Sequence, residues 1–202
     1  MDRWTTGYTA AELEEAQERY HLRFPPDLLD LLRERQPMDG YDWRTENAEI
    51  RRMLNWPFKL LLLDMEQGFW WPDWGERPDG ADGRTEILRD ALDRAPKLIP
   101  LYSHRFLPAH PCTSGNPVFS MHGFDTIYYG SDLANYFDRE FGRQPHAEMG
   151  PIRHIDFWSD TAEGFDRAYA FYAAADDNRA ALRSIQNLLR ANSPPPDEPL
   201  EP

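Results

Sequence analysis

Residues 117–130 read Pro117-Val118-Phe119-Ser120-Met121-His122-Gly123-Phe124-Asp125-Thr126-Ile127-Tyr128-Tyr129-Gly130. Large apolar and small residues alternate over 117–121, and β-branched and aromatic residues dominate 124–129. His122-Gly123 lies between them where a tight turn would join two strands, so the pattern predicts an antiparallel hairpin. Working outward, Leu98-Ile99-Pro100-Leu101-Tyr102 is a further compact apolar stretch that fits the same sheet. Helical periodicity flanks these segments on both sides. The expected class is therefore α+β, a small antiparallel-rich central sheet flanked by helices.

The amino-terminal helices are signposted by their caps. Thr9-Ala10-Ala11-Glu12 has the form of a capping box, and Leu13, Ala16 and Tyr20 follow on one face with Glu14, Glu15 and Glu18 turned to water. Pro25-Pro26-Asp27 restarts the helical pattern, since proline suits a first turn and an acid suits the helix dipole. The leucines at 28, 29, 31 and 32 make this second helix strongly apolar, and it ends before Pro37. Residues 45–55 read as a third helix, burying Ile50, Met53 and Leu54 and stopped by Trp56-Pro57. Residues 60–65 fit either a buried strand or a helical turn, because so short a run has no decisive period. Residues 85–95, 131–141, 161–175 and 177–191 are again helical in pattern. We expect residues 1–192 to form a single domain, followed by a disordered proline-rich acidic tail over 193–202.

Composition bounds the function. The chain of 202 residues carries 35 Asp and Glu against 22 Lys and Arg, a formal net charge of −13. A protein that tracks nucleic-acid phosphates needs a basic stripe, and none is present; an acidic membrane surface is disfavoured for the same reason. Met1-to-Tyr20 has four Glu and no apolar core of signal-peptide length, so a cytoplasmic location is expected. The single cysteine, Cys112, excludes a disulfide framework within one chain.

His104, His110 and Cys112 are close in sequence but match no zinc-ligand spacing, and they read as a polar loop constrained by Pro108 and Pro111; no metal and no cofactor is expected. Nucleophile elbows, phosphate-binding glycine loops and zinc-protease motifs are missing from the sequence, which carries no positive sign of an enzyme. Trp70, Trp71 and Trp74, in a segment with two prolines, are its most unusual local feature. Exposed, they would stack on sugar rings or anchor a protein interface; buried, they would cover the core, and the neighbouring prolines and Gly75 favour burial. Arg105 beside His104 could clamp an anion or tie down a loop, with the loop role favoured. Asn116 before Pro117 would close a turn, and Tyr129 before Gly130 would cap the sheet. The candidate binding residues are Trp71, Trp74, His104, Arg105, Asn116 and Tyr129.

Several of these motifs, in order, resemble the SMI1/KNR4 family of the SUKH superfamily. They are Arg23-Phe24-Pro25-Pro26-Asp27-Leu28, Phe69-Trp70-Trp71-Pro72-Asp73-Trp74-Gly75, Leu98-Ile99-Pro100-Leu101, and Asp125-Thr126-Ile127-Tyr128-Tyr129-Gly130, with Phe157-Trp158-Ser159-Asp160 extending the match. Ser103-His104-Arg105-Phe106-Leu107-Pro108 and Gly115-Asn116-Pro117-Val118-Phe119-Ser120 resemble a bacterial branch of that family. The resemblance covers most of residues 9–160. It implies a helix-flanked sheet that acts by binding, with no catalytic motif to carry over. Many bacterial members are immunity proteins that occlude the catalytic domain of a toxin, and others are regulatory interaction proteins. The chain departs from the plainer pattern in an insertion-like region over 40–95 and in extra carboxy-terminal helices. The leading expectation is a toxin-neutralising immunity protein steered to a basic partner. The alternatives are a regulatory or housekeeping interaction module and, behind it, a small-molecule binder built on Trp70–Trp74 and His104-Arg105.

Overall fold

A computed structural model describes residues 4–37, 40–142 and 147–174. The expected helix at 177–191 and the tail at 193–202 lie outside the described residues. The order of elements is β1 (Trp4–Thr6), α1 (Ala10–Tyr20), α2 (Pro26–Glu34), β2 (Arg35–Pro37), α3 (Ala48–Leu54), α4 (Trp56–Glu66), a 3-10 turn (Pro72–Trp74), α5 (Ala81–Arg94), β3 (Leu98–Tyr102), β4 (Arg105–Pro108), β5 (Val118–Ser120), β6 (Ile127–Gly130), α6 (Leu133–Glu140) and α7 (Trp158–Ala174). The fold is α+β. β1 and β2 form a two-stranded antiparallel ribbon, and β3-β4-β5-β6 form a four-stranded sheet that is antiparallel throughout.

Successive side chains of a strand point to opposite faces, and here both faces are covered. Ile99, Leu107 and Val118 point one way, into a core shared with Leu13 and Ala16 of α1, Leu28 and Leu32 of α2, and Tyr136 of α6. Leu98, Phe106 and Phe119 point the other way, against Leu61 and Met65 of α4, Leu88 of α5 and Trp158 of α7. The register agrees, because Ile99 faces Leu107 and Phe106 faces Phe119 across the ladder. Burial on both sides leaves little polar alternation in β4, where Phe106, Leu107 and Pro108 are all buried. That is why residues 104–112 read as a polar loop in the sequence, whereas half of that segment is a central strand.

The helix boundaries follow local chemistry. The Thr9 hydroxyl accepts from the Glu12 amide at 3.2 Å, and the Thr9 amide donates to the Glu12 carboxylate at 2.7 Å. The third helix starts at Ala48, three residues later than its periodicity suggested, because the Asn47 side chain caps it by accepting from the amides of Glu49 and Ile50. Trp56-Pro57 does end α3, but it also opens α4, with proline placed in a first turn where its missing N–H costs nothing. Residues 60–65, open between strand and helix in sequence, belong to that helix.

The β5–β6 connection is longer than the two-residue turn expected at His122-Gly123. The strands pair as anticipated, yet six residues separate them, and Phe124 drops into the core under Phe69 and Trp71. The Asp64 carboxylate on α4 holds the connection by accepting the Phe124 amide at 2.8 Å. Gly123 adopts φ +72°, and a Cβ there would collide with the Asp64 carboxylate, so glycine is required twice over.

Phe119 is fully buried between the two central strands and the α4–α7 side of the core. Phe119→Ala is expected to cost about 3–5 kcal/mol of stability. Urea denaturation checks this: the midpoint falls while the slope stays that of the parent.

Candidate functional site

The six residues singled out in the sequence fall into three places. His104, Arg105 and Tyr129 come together on the α6 side of the sheet. Arg105 lies opposite Ser120 in the ladder, and its guanidinium donates to the Ser120 hydroxyl at 2.7 Å and to the Glu140 carboxylate at 3.0 Å. It also stacks 3.6 Å from the Tyr129 ring centre. Tyr129 reaches that position because a β-bulge leaves it without a direct partner between the pairs Val118–Gly130 and Phe119–Tyr128. The His104 Nε2 faces the same guanidinium, so it is the acceptor nitrogen, and Nδ1 carries the proton toward the Ser103 hydroxyl at 3.0 Å. Burial, and then the charge of Arg105, pull the His104 pKa down to about 3. The Arg105 side chain is only 12% exposed. The anion it clamps is the chain's own Glu140, which locks β4 to the end of α6.

Asn116 stands apart from this group and is fully buried. Its amide donates to the carbonyls of Pro108 and Pro111 at 3.0 and 2.9 Å, and its oxygen accepts from Arg153 at 2.7 Å. Its two amide bonds close the 108–116 loop, and the Arg153 bond ties that loop to the segment before α7. Nearby, the Cys112 thiol faces the Phe24 carbonyl at 3.6 Å. His104 and His110 sit at opposite ends of β4, so the three potential ligands do not converge. Among the described residues there is no group of three or more His, Cys, Asp or Glu placed to hold a metal.

Trp71 and Trp74 form the third place, and here the structure opens a groove. Trp71 lies parallel to Phe124, 5.6 Å between ring centres, and is 6% exposed; burial is what the flanking prolines suggested. Trp74 is half-buried, edge-on to Phe124 and stacked with Phe157 at 6.4 Å. Phe157 has φ +68°, a left-handed backbone uncommon for an aromatic residue, and its amide is held by the Asp160 carboxylate at 3.2 Å. Trp71, Trp74 and Phe157 line a groove of about 480 Å³ whose rim carries Asp73, Asp160 and Glu163. Gly164 lets α7 lie close to it, since a Cβ there would stand 3.0 Å from the Trp71 ring. Arg167 spans the mouth to Asp73 at 3.2 Å, with both side chains largely exposed.

Sequence reasoning named the tryptophans but missed the acidic rim and Phe157's place beside them. One signal was available: Asp160, Glu163 and Asp166 recur every third residue, which makes an acidic stripe along a helix. It pointed to no site until α7 was known to pack beside the tryptophan segment. Asp64 was also missed. Burial pushes its pKa up to about 7, with Asp125 adding to the rise and the Phe124 amide opposing it.

No family model matches the chain, and neither does any curated protein or solved structure. Among the described residues no helix is long and apolar enough to cross a membrane.

Asp64 makes a testable link between the groove's support and pH. Its folded pKa lies above its unfolded one, so the native state holds the extra proton between about pH 4 and pH 7. Stability from this group therefore falls as pH rises through that window, and it is flat above it. Asp64→Asn keeps an oxygen for the Phe124 amide and removes the titration. The variant's stability relative to the parent is expected to rise by roughly 2–4 kcal/mol from pH 4 to pH 7.5. Denaturant melts at several pH values measure the difference; a constant difference across the range contradicts the assignment.

Proposed function

We infer that this protein acts by binding a basic protein partner and not by catalysis, and that its role is that of an immunity protein covering the catalytic domain of a toxin in the cytoplasm. The observation that carries this reading is the charge distribution. Among the described residues, arginines such as Arg44, Arg51, Arg52 and Arg105 are tied to the chain's own carboxylates, whereas the acids of α7 face outward in excess. With a net charge of −13, the field around the molecule is negative and attracts a cationic surface. Nuclease-type toxins are themselves basic where they grip phosphates, and an acidic protein laid over that surface blocks it. The resemblance of the sequence motifs to the SMI1/KNR4 family supports the same role.

A binding role also agrees with the state of the His104-Arg105-Ser120-Glu140 cluster. These are side-chain types used in catalysis, but here they satisfy one another in a largely buried ladder position.

The test is capture from the source lysate on the immobilised full chain, with mass spectrometry, at low and moderate salt. One basic protein is expected on the low-salt column and in the salt eluate. With the purified pair, the association rate should drop by about an order of magnitude between 50 and 500 mM salt, while dissociation changes little. A tight partner indifferent to ionic strength would rule out electrostatic steering, and a toxin activity unaffected by excess of this protein would rule out immunity.

A further inference from the structure

The groove beside α7 combines two features that together select one kind of ligand. Its floor is aromatic, formed by the buried Trp71 and the half-buried Trp74 and Phe157. Its rim is anionic, with Asp73, Asp160 and Glu163 placed around that floor. Aromatic faces carry negative potential and attract a cation, and a flat guanidinium can stack on them while its N–H groups reach carboxylates.

The chain itself places a guanidinium at the mouth of the groove, in an ion pair and not on the rings. Arg167 reaches across the mouth to Asp73, yet its side chain is 73% exposed and Asp73's is 66% exposed, so the pair is solvated and weakly held. The Glu163 carboxylate is aligned by the Tyr128 hydroxyl, which donates to it at 2.6 Å, and Asp160 is aligned by the Phe157 amide. Asp160, Glu163 and Arg167 follow one another at helical spacing along α7, so the two carboxylates and the arginine border the groove from the same helix. Among the described residues Asp73 has the exposed Arg167 and Asp160 has the His154 ring at 3.4 Å, while Glu163 faces the Tyr128 hydroxyl and no cation, so the rim acids outnumber its one arginine.

We propose that the Trp71–Trp74–Phe157 groove is a docking site for an arginine side chain of a partner protein, which displaces Arg167 from the mouth and sits between the aromatic floor and the carboxylates of Asp160 and Glu163. This rests on the reading of the protein as a binder of basic partners and assigns the anchor point within it. The groove takes one arginine of the partner; the surrounding acidic surface steers the rest.

The assignment is tested without the partner by titrating N-acetyl-arginine amide into the full chain and following the indole N–H resonances by NMR. Saturable shifts of Trp71 or Trp74 are expected, and the isosteric N-acetyl-citrulline amide should produce none. The double variant Asp160→Asn with Glu163→Gln keeps both hydrogen-bond acceptors and should weaken arginine binding about tenfold. Arg167→Gln, an exposed change that leaves the fold intact, should tighten it about threefold by freeing Asp73. Equal shifts with citrulline, or no gain in the Arg167 variant, would overturn the proposal. If arginine amide fails while lysate capture still yields a basic toxin, the anchor lies elsewhere and the immunity reading stands. If arginine amide binds but capture yields no toxin, the groove stands and the immunity role falls.

Discussion

Phe106 and Phe119 face each other across the two central strands, both fully buried. Their pair sets the constraint that the remaining elements obey. A sheet whose inward residues are apolar on both faces has no surface to give to water, so helices must cover each side. On the Phe106–Phe119 side α4, α5 and α7 supply that cover; on the Ile99–Leu107–Val118 side α1, α2 and α6 do. The apparent insertion over residues 40–95 is thus no appendage. It contributes Leu61, Met65, Phe69 and Leu88 to the core that closes over the phenylalanine pair.

The same packing creates the groove. Phe124 leaves the β5–β6 connection to join this core, and Asp64 holds it there through the backbone of the turn. Trp71 stacks on Phe124, and Trp74 and Phe157 build outward from it. α7 then passes beside the tryptophans at Gly164, which brings the acidic stripe to the edge of the aromatic surface. Surface and core are continuous at this point: the lower rings stabilise the fold, and the upper ones present a partly exposed aromatic face edged by carboxylates.

Electrostatics divides the molecule in a comparable way. On the α6 side of the sheet, Arg105 is neutralised by Glu140, backed by Tyr129, and nearly sealed from solvent. On the α7 side, the helix carries Asp160, Glu163 and Asp166 at the surface beside a single described arginine, Arg167. Exposed ion pairs such as Arg167–Asp73 contribute little to stability, so exchanging one for an intermolecular pair costs little. The fully engaged cluster serves the architecture, and the partly engaged one has interactions left to make.

Much of the architecture was already written in local signals. The capping box at Thr9, the proline start at Pro26, the helical spacing of Leu133, Tyr136, Phe137 and Phe141, and the strand pattern around Phe119 each depend on residues within a turn or a hairpin of one another. By itself the sequence determined the α+β class, most of the helices, the hairpin pairing and the acidic imbalance, because these follow from capping, periodicity and composition. Only tertiary structure decided that β4 is a strand, since burial on both faces erases the alternation that would announce it. Tertiary structure also paired Arg105 with Glu140, 35 residues away, and it brought Asp64 to Phe124 across 60 residues. The groove belongs to this second kind. Its floor and its rim each draw on two segments far apart in sequence, Trp71–Asp73–Trp74 and Phe157–Asp160–Glu163, joined because α7 must cover the face of the sheet on which the tryptophan segment already lies.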